Sequence, residues 1–163
     1  MTRPLLLSAC IATLMLASPA LAQPSSKDAA AISARNEAAT RGPSDASLVG
    51  ALHEFAYERG ALYAVQASPQ RITDIALEPG ETLLSVSAGD TTRWIVGDAR
   101  SGIAGNIQSH ILVKPNAANL ATNLVIMTDR RVYHVTLKST SGAAMASVAW
   151  RYPVAMTLAT SAP

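Results

Sequence analysis

Cysteine is nearly absent from this chain, and the one present, Cys10, lies within an N-terminal stretch that reads as a removable leader. A single cation, Arg3, and then Pro4 precede an apolar run over 5–17, which exits through Ser18-Pro19 to Ala20-Leu21-Ala22. A charged start, a short apolar core and a small-residue exit are the parts of a secretory signal peptide. The run is too short to span a bilayer, so we expect cleavage between Ala22 and Gln23 and no transmembrane segment in the mature chain. Leu7-Ser8-Ala9-Cys10 also has the form of a lipoprotein box, but few apolar residues precede the cysteine and the apolar run continues beyond it. With the leader gone no thiol remains. That excludes disulfides, thiolate metal sites and cysteine nucleophiles, even in an oxidising compartment.

Charge of one sign is also lacking: Lys plus Arg number 13 against 11 Asp plus Glu. Without a basic stripe to neutralise phosphates, direct nucleic-acid binding is not expected. No serine stands in a G-x-S-x-G elbow, and no P-loop or G-x-G-x-x-G is present. His53, His110 and His134 are too far apart for a local metal motif. Asp74, Asp90, Asp98 and Asp129 fall at strand ends or turns, where Asp bonds the backbone. The residues therefore predict no catalytic group, no cofactor and no metal. An exported hydrolase would need a cleft that brings His110 or His134 within reach of two carboxylates.

Residues 23–45 are Ala, Ser and charged side chains with Ile32 as the one substantial anchor, which reads as a frayed helix or a tether. Leu48, Leu52, Phe55 and Ala56 fall near helical spacing and predict a short amphipathic turn, so 23–59 forms a flexible, partly helical extension. From Ala61 the texture becomes strand and turn. Strands are predicted at 62–66, 71–77, 82–88, 92–96, 109–114, 121–128, 132–137 and 145–152. Glu78-Pro79-Gly80-Glu81 has Pro and Gly where a type II turn needs them, and Thr128-Asp129-Arg130-Arg131 joins two alternating strands as a hairpin. The loop over 97–107, with three glycines, is predicted to be the most mobile connection. Eight short strands with no helix between them predict an all-β fold, an immunoglobulin-like antiparallel β-sandwich over 60–153 that folds alone.

Aromatic residues are scarce: one Phe, two Trp and four Tyr. Trp94 and Trp150 each adjoin an arginine, Arg93 and Arg151, and neighbours on a strand point opposite ways. The plain reading is two core tryptophans with solvated arginines behind them, and a solvated turn at Arg130-Arg131. The other is a docking surface drawn from Arg93, Trp94, Arg130, Arg131, Arg151 and Tyr152, because Trp, Tyr and Arg are enriched where proteins dock.

The ordered blocks Gly60-Ala61-Leu62-Tyr63, Thr73-Asp74-Ile75-Ala76-Leu77-Glu78-Pro79-Gly80-Glu81, Ala88-Gly89-Asp90, Arg93-Trp94-Ile95-Val96-Gly97-Asp98, His110-Ile111-Leu112-Val113-Lys114-Pro115, Thr122-Asn123-Leu124-Val125-Ile126, Thr128-Asp129-Arg130-Arg131-Val132-Tyr133-His134 and Ala149-Trp150-Arg151-Tyr152-Pro153 resemble the N-terminal domain of the TrbG/CagX family. These are conjugal transfer and type IV secretion proteins of the outer-membrane core complex. The resemblance implies a non-enzymatic periplasmic subunit, held at the outer membrane through partners. It also implies a homo-oligomeric ring with an inner-membrane-anchored channel subunit and an outer-membrane lipoprotein. Family members continue into a second β-domain, for which the tail over 154–163 is too short. The competing expectation is a stand-alone periplasmic ligand- or protein-binding sandwich, since a fold alone does not fix a function.

Overall fold

A computed structural model describes residues 25–153 of the chain, so the expected cleavage at Ala22 and Gln23 and the tail over 154–163 lie outside the described residues. The first element is a helix, α1 (Ser26–Ala39). Ser25 caps it by accepting a hydrogen bond from the Asp28 N–H at 3.3 Å. Alanine-rich sequence favours this helix, yet none of its residues is buried, as a run with one large apolar side chain requires.

Eleven strands follow: β1 (Thr40–Arg41), β2 (Ser47–Val49), β3 (Leu52–Ala56), β4 (Leu62–Ala67), β5 (Thr73–Ala76), β6 (Leu83–Ala88), β7 (Trp94–Ser101), β8 (Gln108–Pro115), β9 (Ala121–Thr128), β10 (Val132–Ser139) and β11 (Ser147–Arg151). They form a five-stranded sheet, β1-β4-β10-β9-β6, and a six-stranded sheet, β2-β3-β11-β5-β8-β7. Alternation places Tyr63, Val65, Leu124, Ile126, Tyr133, Val135 and Leu137 of the first sheet against Phe55, Ile75, Trp94, Ile111, Val113, Val148 and Trp150 of the second, in one buried cluster. The apolar set Tyr133, Val135 and Leu137 faces inward as its alternation predicts, and both tryptophans are core residues.

Three sequence expectations are corrected. The sheets are mixed, not antiparallel throughout: β1 with β4, β4 with β10, β3 with β11 and β5 with β11 pair in parallel. The chain switches sheets between most successive strands, so sheet neighbours are seldom hairpin neighbours. The amphipathic turn predicted near Leu48 is instead the β2–β3 hairpin, because β3 finds a five-residue parallel partner in β11 and buries Phe55. The sheets thus recruit 40–56 from what reads as an extension. Finally, the glycine-rich loop is half strand, since β7 pairs with β8 as far as Ser101 opposite Gln108. β7 has a partner on one side only, which is why small polar residues suffice there.

The turns are those that their residues dictate. Gly80 has φ +79° and the Glu81 N–H donates to the Glu78 carbonyl at 3.0 Å, which closes the Pro79-Gly80 turn. The Thr128 N–H donates to the Arg131 carbonyl at 3.0 Å, closing the β9–β10 hairpin.

Candidate assembly surface

The Pro79-Gly80 turn and the β9–β10 hairpin meet, and between them lies the most connected polar cluster of the described residues. Its centre is Glu81, whose side chain is fully buried. The Tyr133 hydroxyl donates to Glu81 Oε2 at 2.8 Å, Arg131 Nη1 donates to the same oxygen at 3.1 Å, and the Thr128 hydroxyl donates to Oε1. Burying a carboxyl is costly unless its acceptors are filled, and here both oxygens are engaged. Glu78 forms the outer half: its Oε2 accepts from Arg131 at 2.6 Å and from Arg130 at 2.8 Å. Tyr152 closes the cluster from just beyond β11, with its hydroxyl 2.9 Å from that of Tyr133 and its ring 3.9 Å below the Arg131 guanidinium.

The protonation equilibria follow from this packing. Burial pushes the Glu78 carboxyl up, but hydrogen bonds from Arg131 and Arg130 outweigh that and hold it below the ordinary carboxylate value of 4.5. Arg131 is lowered by burial and raised further by Glu78, Tyr133 and Glu81, so its guanidinium is held charged. Burial pushes up the phenols of Tyr133 and Tyr152 alike, and Glu81 adds to the shift in both.

A carboxyl held below 4.5 stabilises the fold at pH values above 4.5, and that contribution is lost as pH falls through its depressed value. Wild-type protein is therefore expected to lose urea resistance between about pH 6 and about pH 3 more steeply than a Glu78→Gln variant. Parallel acid limbs for the two proteins in urea titrations would remove Glu78 from the account.

Of the predicted docking residues, the structure brings together Arg130, Arg131 and Tyr152. Arg93, Trp94 and Arg151 lie elsewhere. Trp94 is core at 2% exposure, Arg93 bonds Asp90 at the start of its own turn, and Arg151 pairs with Glu54 of β3 at 3.3 Å. Sequence reasoning missed Glu81. Its legible signal was a carboxylate directly after the Pro-Gly turn, and nothing local shows that the turn folds under the hairpin.

Beside the cluster lies an open groove of ≈ 620 Å³ lined by residues that include Tyr57, Arg59, Asp129, Arg130, Arg131 and His134. Elsewhere, on β5, β8 and β7, Asp74 Oδ1 lies 2.9 Å from His110 Nδ1, and Ser101 Oγ lies 2.8 Å from His110 Nε2. The order is that of a Ser-His-Asp relay, in which one carboxylate orients the histidine, while the second carboxylate that the sequence expectation for a hydrolase required makes no hydrogen bond to His110 among the described residues. Neither this groove nor a smaller cavity of ≈ 270 Å³ includes Ser101 or His110. The three side chains span adjacent strands of one sheet and tie them together.

Fold and site together define an all-β protein of two packed sheets whose main polar cluster is a lock between turns. Among the described residues no helix is long and apolar enough to cross a membrane, which says nothing of strands. The model of the CagX family, described as conjugal transfer protein, matches residues 50–161, and the chain belongs to that family. It is 42% identical over 90 residues to a probable conjugal transfer protein TrbG of Sinorhizobium fredii, covering 55% of this chain and 33% of that protein. It is 29% identical over 129 residues to the type IV secretion system protein virB9 of Brucella abortus, covering 72% of this chain and 45% of that one. The chain thus spans between a third and a half of the length of these curated relatives. The family names describe conjugal transfer and type IV secretion components, not enzymes.

Proposed function

We propose that the chain is a non-catalytic assembly module of the periplasmic part of a conjugation or type IV secretion channel, held at the outer membrane through its partners. It is an immunoglobulin-like sandwich with mixed sheets, and copies of it build a ring together with an inner-membrane-anchored channel subunit and an outer-membrane lipoprotein. The observation that carries this reading is the convergence of three family blocks on one lock. The E-P-G-E turn supplies Glu78 and Glu81, the T-D-R-R hairpin supplies Thr128, Arg130 and Arg131, and the W-R-Y end supplies Tyr152. A buried polar lock fixes how turns sit relative to sheets, which suits a part whose shape is its function. Arg130, Arg131 and Tyr152 hold that shape at the rim of the groove, and Arg93, Trp94 and Arg151 remain secondary candidates for contact with partners.

The test is isolation of the tagged chain from the periplasm of cells that express a complete type IV secretion system from the chain's own source. The expected result is a large complex containing the other channel subunits. Recovery as a free monomer, with those subunits assembled without it, would favour the stand-alone binding module, for which the groove beside Arg59 is the natural ligand site.

A further inference from the structure

The ring of the proposed function needs a surface that can propagate, and the sheet edges provide one. A sheet edge offers unpaired N–H and C=O groups, and soluble proteins blunt such edges with short strands, bulges, lysine or proline. The two sheets have four edges. β1 is two residues long and β6 carries a register shift between Leu83 and Ser85, so both edges of the five-stranded sheet are blunted. The six-stranded sheet ends in β2 and β7. β7 is eight residues long, pairs with β8 without a register shift, and holds neither lysine nor proline; β2 is three residues long and carries no charge.

Both edges expose large apolar side chains, and β7 exposes Asp98 and Arg100 beside them. Leu48 and Val49 of β2 are 66% and 63% exposed and Ile95 of β7 is 58% exposed, while Ile103 and Ile107 extend the apolar edge through the β7–β8 turn. Half of the ten large apolar side chains exposed among the described residues thus lie at these two edges.

Strand sense makes the edges complementary. Following the pairings from β2 to β3, β11, β5, β8 and β7, three antiparallel and two parallel steps leave β2 and β7 running in opposite directions. Placed side by side in successive copies they form an antiparallel ladder, the more stable kind. The ends of the five-stranded sheet, β1 and β6, run the same way and have no such match. Facing the strands so that inward residues meet inward residues allows one register that sets Ile95 opposite Val49 and Val96 opposite Leu48.

We propose that neighbouring copies of this chain join edge to edge, β7 of one copy pairing antiparallel with β2 of the next, so that the six-stranded sheet continues around a ring. The interface is heterologous, the kind that closes into rings. The inference rests on the ring reading above and names the surface that reading lacks.

The experiment uses the full chain, exported in cells carrying the channel genes, with Val49→Cys, Ile95→Cys or both. Directly opposed strand residues are within disulfide reach, whereas within one copy the two positions lie five strand spacings, about 24 Å, apart and cannot bridge. The double variant is expected to give a ladder of disulfide-linked oligomers that collapses on reduction, and each single variant alone a monomer. Co-expressed single variants should give a dimer. Dimers from Ile95→Cys alone would mean β7 pairs with β7 across a two-fold axis and would overturn the proposal. If the double variant yields no cross-link while light scattering still finds a large oligomer, the ring stands and this interface does not. A monomer by both measures removes ring and interface together. As a second variant that leaves the core untouched, Ile95→Lys should reduce oligomer size with an unchanged unfolding midpoint; unchanged size would also overturn the proposal.

Discussion

A chain that begins at Gly60 is expected to lose most of its cooperative unfolding transition, whereas one that begins at Thr40 keeps the stability of the longer protein. The shorter chain lacks β3 and with it Phe55, which is 1% exposed and packs on Tyr63 at a ring separation of 5.4 Å. It also lacks Tyr57, whose N–H donates to the Arg151 carbonyl at 2.8 Å and whose ring meets that of Tyr133 edge-on. Emptying a buried Phe site alone costs about 3–5 kcal/mol, against about 5–15 kcal/mol for the whole stability of a domain. Losing β3 also strips β11 of its five-residue parallel partner. Helix α1 buries nothing, so its removal should cost little. Urea denaturation of the two truncations decides the matter, and equal midpoints would place β3 outside the cooperative unit.

Arg131→Ala is expected to destabilise by about 3 kcal/mol, the scale for removing one partner from a buried pair. The loss leaves Glu81 fully buried without its cation, deprives Glu78 of its 2.6 Å contact and uncovers the Tyr152 ring. Arg130→Ala removes a more exposed partner of Glu78 and should cost a small fraction of that. Adding Glu81→Gln to Arg131→Ala should recover part of the loss, because the stranded group is then neutral. Urea midpoints for these variants report the differences. Equal effects for Arg131→Ala and Arg130→Ala would show that the cluster is an ordinary surface ion pair.

How much of this was legible depended on whether a residue's environment is local. The alternation of 132–137 and 121–128 placed two strands and their inward faces, because a strand's two faces are written in period two. The Pro79-Gly80 turn and the Thr128–Arg131 hairpin were equally plain from residue type. Partnership across the fold was not. The spacing of Leu48, Leu52, Phe55 and Ala56 fits a helix as well as a hairpin, and only β11, some ninety residues later, makes it a strand. Parallel pairing of β4 with β10 has no local signature at all, since the strands are joined through both sheets. The polar lock was not visible. Its arginines read as a solvated turn or as part of a docking surface, and Glu81 acquires meaning only once the turn that carries it is folded beneath them.

The central claim, that this chain is a structural part of a secretion channel and not a catalyst, is tested most directly by transfer frequency from donor cells. Donors carry the conjugation genes with this gene deleted and then replaced by the wild-type gene or by a Ser101→Ala, His110→Ala double variant. The account predicts that deletion abolishes transfer and that both replacements restore it to the same level. Transfer unaffected by the deletion, or restored by the wild-type gene alone while the double variant is exported at equal level, would contradict it.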